Sequence, residues 1–163
     1  MSKFWLLTVP RVALGVVFLV GAIDGFAFIA TGTHLVHPPT SQRGLQFEDA
    51  LKSADFLWPL MKTVELLGAV CLLTNRAPAF GLALLSPVMA VIVLFHGCLN
   101  PQGAPLAALL VVCGALLLRT YAPRYARLLD SGSTAPRAAT HTTHTADASR
   151  ASGTWHRAGR TVD

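Results

Sequence analysis

Between Phe56 and Leu73 lies an apolar run, FLWPLMKTVELLGAVCLL, that is long enough to cross a bilayer yet holds Lys62 and Glu65 in its interior. A charge at the centre of a membrane helix costs about 2.5–3.5 kcal/mol on insertion scales, so such residues face a protein interior and take a partner. At i, i+3 the two side chains share one helix face and can pair with each other. Lys62 has the reach to snorkel outward. Glu65 is shorter and deeper, which marks it as a functional or architectural residue.

Three further apolar runs cover Phe4 to Ala30, Ala79 to Leu99 and Pro105 to about Tyr121. Each approaches or meets the roughly 20-residue length of a spanning helix. Only 13% of the residues are charged, where a soluble domain averages about 25%. A soluble bundle with a large core is the competing reading, but its helices would need polar stripes that these runs lack. A cleaved signal peptide fits the first run poorly, since it is long and has no A-x-A site. The expected fold is therefore all-α, a four-transmembrane-helix bundle over residues 1–128 with a disordered tail over 129–163. Pro87 is expected to kink the third helix.

The net charge of +5 falls mainly after the last apolar run. In a soluble protein such a tail would suggest nucleic acid; beside a membrane helix it reads as retention on the cytoplasmic side, with attraction to anionic lipid. The lipid bilayer, and no nucleic acid, is the partner this implies. Positive charge at the N-terminus, at the Asn75-Arg76 turn and after Arg119 places both termini in the cytoplasm of a multi-pass cell-membrane protein. From Ser131 on, the chain has no apolar periodicity and cannot offset its ordering entropy, so it is expected to be disordered.

The connection from Thr31 to Asp55 would then lie outside. Phe47, Leu51 and Ala54 recur there at helical spacing, as in a short helix on a membrane surface. His34 and His37 sit beside a Pro38-Pro39 break without a third ligand, so they read as solvated loop residues and no metal site is assigned. Trp58 reads as an interfacial anchor. Cys71, Cys98 and Cys113 have no C-x-x-C spacing and read as small buried hydrophobes.

Depth along the helices gathers the ionisable residues. At 1.5 Å per residue, Asp24, Lys62, Glu65 and His96 all fall within roughly 4–14 Å of the outer boundary. A shared polar pocket opening outward accounts for that common level. Against it, Asp24 can simply reach the interface, and His96 can be a neutral imidazole bonded to a neighbouring helix. Arg11 snorkels to the inner interface. Gly15, Gly21, Gly25, Gly68, Gly81 and Gly114 read as close-packing positions without chemistry.

These segments resemble a known family. RVALGVVFLVGAIDGF from Arg11, WPLMKTVELLG from Trp58, LLTNR from Leu72, LSP from Leu85, and Phe95-His96 followed by Asn100-Pro-Gln-Gly are similar to DoxX-like membrane proteins across Arg11 to Leu118. Lys62 with Glu65, and Pro87 with His96, carry the resemblance most specifically. Asp24 stands where a lysine is common in such proteins. The resemblance implies a four-helix membrane fold, and some relatives are small subunits of thiosulfate–quinone oxidoreductases or of thiol redox complexes.

Accordingly, the expected role is an accessory subunit of a membrane redox or respiratory complex, with a redox partner subunit. Its pocket would hold a small polar group, and a quinone is the cofactor the resemblance brings in. No nucleophile–base triad, phosphate loop or haem motif assigns a catalytic residue, so enzymatic activity stays open. Two other readings stand beside it: a proton-coupled transporter or channel using Lys62, Glu65 and His96, and a purely structural membrane partner.

Overall fold

The computed structural model describes residues 3–129, without side chains at a few positions near either end. The chain separates into two units, Met1–Ser131 and Gly132–Asp163. The second unit, and with it the expectation of a disordered tail, lies outside the described residues.

All regular structure among the described residues is helical. The long helices are α1 (Lys3–Thr31), α3 (Leu57–Leu73), α4 (Pro78–Cys98) and α5 (Ala104–Leu129); a shorter α2 (Gln42–Ser53) lies between α1 and α3. A 3-10 turn, Pro101–Gly103, leads into α5. Local chemistry sets the ends. Gly32 adopts φ +74° and Asn75 φ 56°, the left-handed conformation that closes a helix and that glycine and asparagine tolerate best. Pro78 opens α4, where its missing N–H costs nothing. Ser41 caps α2 by accepting from the Gly44 N–H at 3.1 Å.

Helix α4 continues through Pro87, which cannot donate to the Ala83 carbonyl one turn earlier. The Ser86 hydroxyl donates to that carbonyl instead, at 2.8 Å. Thr63, Thr74 and Thr120 likewise donate to carbonyls one turn back. These four hydroxyls are thus satisfied within their own helices, as lipid surroundings demand.

Helix α1 packs against α3 and α5, and α4 packs against the same two. Leu14 and Phe18 of α1, Leu72 of α3, Leu85 of α4, and Leu110 and Leu117 of α5 are the largest fully buried side chains. Helix α5 continues past its expected end at Tyr121 to Leu129. Its last turns are held because the Tyr125 hydroxyl donates to the Ala79 carbonyl of α4 at 2.6 Å.

The outward faces are as apolar as the core. Val12, Val16, Val20 and Ile23 of α1, Leu60 and Leu67 of α3, Leu94 of α4 and Val112 of α5 are all exposed. In water this would be an apolar surface far beyond the few hundred Å² a monomer tolerates. Three helical segments, Leu7–Thr31, Pro78–Cys98 and Pro101–Arg127, are long and apolar enough to span a membrane. Helices α2 and α3 pass the same test only together, across a 97° bend, which makes up to four spans. The fold is thus all-helical and compatible with a multi-pass membrane protein.

Helix α2 carries the amphipathic pattern expected of residues 47–54: Phe47, Leu51 and Ala54 are half-buried, Gln46, Asp49 and Ser53 exposed. Of the cysteines, Cys113 is buried and Cys71 half-buried, but Cys98 is exposed, contrary to expectation. It stands in the last turn of α4.

Candidate functional site

Asp24, Lys62, Glu65 and His96 all line one cavity of about 630 Å³ at the end of the helices where the 32–41 connection and the Asn100 turn lie. They reach it from α1, α3 and α4, and each is bonded to a different neighbour. Among the described residues, the hydrogen bonds of these four side chains form three separate polar pairs rather than one continuous network.

The first pair is Lys62 and Glu65. The ammonium donates to Glu65 Oε1 at 3.1 Å and to Oε2 at 2.9 Å. Lys62 is only 8% exposed and Glu65 3%. Lys62 therefore does not snorkel. It is kept in by Trp58, one turn earlier, whose ring centroid lies 4.8 Å from Nζ, a cation–π distance.

Opposite the pair, α1 presents Gly21 and Gly25. A methyl group built on Gly25 would collide with the Lys62 side chain, and one on Gly21 would come within 3.3 Å of Glu65 Oε2. Two glycines one turn apart thus form the groove in which the ion pair lies. They serve the site, where the sequence suggested packing alone. Gly25→Ala should therefore cost about 1–3 kcal/mol, the usual range for overpacking, because the Lys62 stem cannot yield without pulling its head off Glu65. Gly97, which has open space around its Cβ position, supplies the control. Gly97→Ala should leave the melting temperature in detergent unchanged or raise it, given alanine's better helix propensity.

The second pair is Asp24 and His34. His34 Nδ1 lies 2.7 Å from Asp24 Oδ2, and Asp24 Oδ1 accepts from the backbone N–H groups of Leu35 at 2.6 Å and Val36 at 2.9 Å. Asp24 thus folds the connection back over the end of α1. His34 is half-buried, stacked on Phe28 at 4.4 Å between ring centroids and edge-on to Trp58 at 6.2 Å. This corrects the expectation of a solvated loop residue; His37 is exposed. The signal for His34 lay in its apolar surroundings and in an aspartate ten residues back, but no local spacing rule connects the two. Trp58 is likewise a wall of the cavity, 8% exposed, not an interfacial anchor.

The third pair is His96 and Asn100. His96 Nδ1 lies 3.4 Å from the Asn100 carbonyl oxygen. Asn100 is 2% exposed. Its Oδ1 accepts from the Ser41 N–H at 3.0 Å, while its Nδ2 donates to the Pro39 carbonyl at 3.4 Å. The far end of the 32–41 connection is therefore pinned by Asn100 as its near end is by Asp24. In the sequence Asn100 stands out only as part of the Asn100-Pro-Gln-Gly segment that carries the family resemblance.

On α2, Glu48 lines the cavity and Lys52 lies beside it. Its Nζ lies 3.6 Å from Glu48, 4.6 Å from the Phe28 ring centroid and 5.1 Å from that of Trp58. The remaining walls are mainly apolar, with Leu45, Phe47, Met61, Val91, Phe95 and Leu106 among them, and His37, Thr40 and Gln102 add polar groups. Two buried nitrogens at the site have no hydrogen-bond partner among the described residues: Trp58 Nε1 and His34 Nε2. No group of three or more potential metal ligands occurs among the described residues.

Comparison of the chain with family models, curated proteins and solved structures gives no match.

Proposed function

We propose that this chain is a DoxX-like, four-transmembrane-helix protein of the cell membrane with both termini cytoplasmic. In this reading it serves as an accessory subunit of a membrane redox or respiratory complex. The cavity receives the headgroup of a quinone or a similar small, uncharged polar group.

One observation carries the reading: the charges around the cavity are already matched within the protein. Lys62 is bonded to Glu65, Asp24 to His34, and Lys52 lies beside Glu48. An ionic ligand would have to displace one of these partners. A neutral ring would find mainly apolar walls, in a volume typical of small-molecule sites, about 300–1,000 Å³. Phe47 and Phe95 would flank its body. A bound quinone would supply two-electron redox chemistry, while the protein's own part is to bind and orient it and to keep its surroundings dry.

The transporter reading requires polar groups to continue past Glu65. Beyond it lie Phe18, Ala69, Leu72 and Leu85, all buried and apolar. Nor is any hydrogen bond found between His96 and the Lys62–Glu65 pair among the described residues, which counts against a relay through these three.

Purification in mild detergent, followed by solvent extraction and mass spectrometry, tests the proposal. A lipid-soluble quinone and a second membrane subunit should co-purify with the wild-type chain. Recovery of neither, from membranes rich in both, would remove the basis for a redox role.

A further inference from the structure

On the proposal that the cavity receives a ring in a four-span protein, its walls decide where the rest of that molecule lies. A volume of about 630 Å³ takes one drug-sized molecule and cannot also enclose a chain of membrane length. At the end of the helices the 32–41 connection crosses the cavity, with Val36 to Thr40 in the lining. This strap is tied at both ends. Asp24 accepts from the Leu35 and Val36 amides, while Asn100 accepts from the Ser41 amide and donates to the Pro39 carbonyl. The Ser41 hydroxyl donates to the Leu99 carbonyl as well. Between the ties, Pro38 and Pro39 each fix a backbone angle. Lifting the strap would strip several polar groups of their partners.

The wall between α2 and α4 is built differently. Leu45 of α2 and Val91 of α4 line the cavity, yet they are 44% and 43% exposed. Pro87, Val91, Leu94 and Cys98 recur every three or four residues and are all exposed, so Val91 belongs to the outward stripe of α4 while it also borders the cavity. It lies seven residues before the end of α4 at Cys98, about 10 Å along the axis, a depth at which a spanning helix meets hydrocarbon. The two helices touch through the rings of Phe47 and Phe95, 5.7 Å between centroids. Among the described residues no hydrogen bond or ion pair joins residues 42–53 to α4. This seam can part without any polar group losing a partner. A hydrocarbon chain passes such a rim freely, whereas a charged or hydrated group would give up water there without compensation.

We infer, on the strength of the four-span, ring-binding reading, that the seam at Leu45 and Val91 is a lateral portal between the cavity and the bilayer. The ligand it fits is a ring that carries a long hydrocarbon chain and arrives dissolved in lipid. The ring lies inside, and the chain leaves between α2 and α4 along the stripe of Val91 and Leu94. A water-borne ring delivered past the 32–41 connection is not the ligand this wall is built for.

The test uses the full-length protein in phospholipid nanodiscs and two photoreactive quinones with the same decyl chain. One carries its diazirine beside the ring, the other midway along the chain. Illumination, digestion and mass spectrometry locate the label. The ring probe should mark residues inside the cavity, such as Phe47, Met61 or Phe95, and the chain probe Leu45, Val91 and Leu94. Excess unlabelled decyl quinone should abolish both labels, while any label on Val112 of α5, which is exposed but does not line the cavity, should persist. Suppressible chain label elsewhere, on residues 36–40 or Gln102 above all, would overturn the portal while sparing the ring-binding proposal. Seam label that excess quinone leaves in place would mean that the probe merely brushes the outer face from the lipid, and would overturn it too. Absence of a suppressible ring label would remove the ring-binding proposal itself, and the portal with it.

Discussion

Glu65→Leu should destabilise the protein by about 3–5 kcal/mol, the usual consequence of leaving one member of a buried ion pair without its counterion. Lys62 would then keep its ammonium in a site only 8% exposed, with its stem held between Gly25 and the Trp58 ring. The double substitution Lys62→Met with Glu65→Leu should recover most of that loss, because a well-packed apolar pair of similar volume is often neutral or stabilising. Denaturant or thermal unfolding in a fixed detergent reads both. If the double variant is as unstable as the single one, the Coulombic account is wrong and the pair is needed for its shape or its hydrogen bonds.

Asp24→Ala should have the second-largest effect, and a more local one. It deprives the Leu35 and Val36 amides and the His34 ring of their shared acceptor. Hydrogen bonds to a charged group are worth about 1.5–3 kcal/mol each, reduced here because Leu35 and Val36 are exposed. Amide hydrogen exchange should accelerate at Leu35 and Val36 by at least tenfold, about 1.4 kcal/mol, while amides in the Leu14–Phe18 part of α1 keep their protection. Asp24→Asn, which retains an oxygen acceptor, should fall between. Uniform acceleration across the whole domain would show that the carboxylate supports the helix packing rather than the connection alone.

The parts of this protein legible in its sequence are those set by length and periodicity. Apolar runs of membrane-spanning length give the long helices, and the Phe47–Ala54 spacing gives α2. The common depth of Asp24, Lys62, Glu65 and His96 also led to residues that line one cavity. What spacing could not supply was pairing. Asp24 bonds to a histidine across a turn, His96 to the Asn100 backbone, and only Lys62 and Glu65 to each other, because only they share a helix face. Gly21 and Gly25 looked like ordinary small-residue contacts since their role depends on which side chain of α3 lies opposite, a tertiary fact. Trp58 at the start of an apolar helix carries the signature of an interfacial anchor. It is drawn inward here because α2 folds back with Lys52 over its ring.

The apolar core beneath the cavity has an electrical consequence. Phe18, Ala69, Leu72, Leu85, Leu110 and Leu117 are all buried and apolar. In an energised bilayer a potential difference falls chiefly across such low-dielectric matter, at about 2.3 kcal/mol per elementary charge for 100 mV over the full thickness. In the proposed four-span reading the cavity lies to one side of that core, so its carboxylates and ammonium groups would sense only a small share of the drop. Occupancy of the site should accordingly be the same in polarised and depolarised vesicles. In the same reading, any proton exchanged with a bound molecule would come from, and return to, the single compartment on the cavity's side of that core.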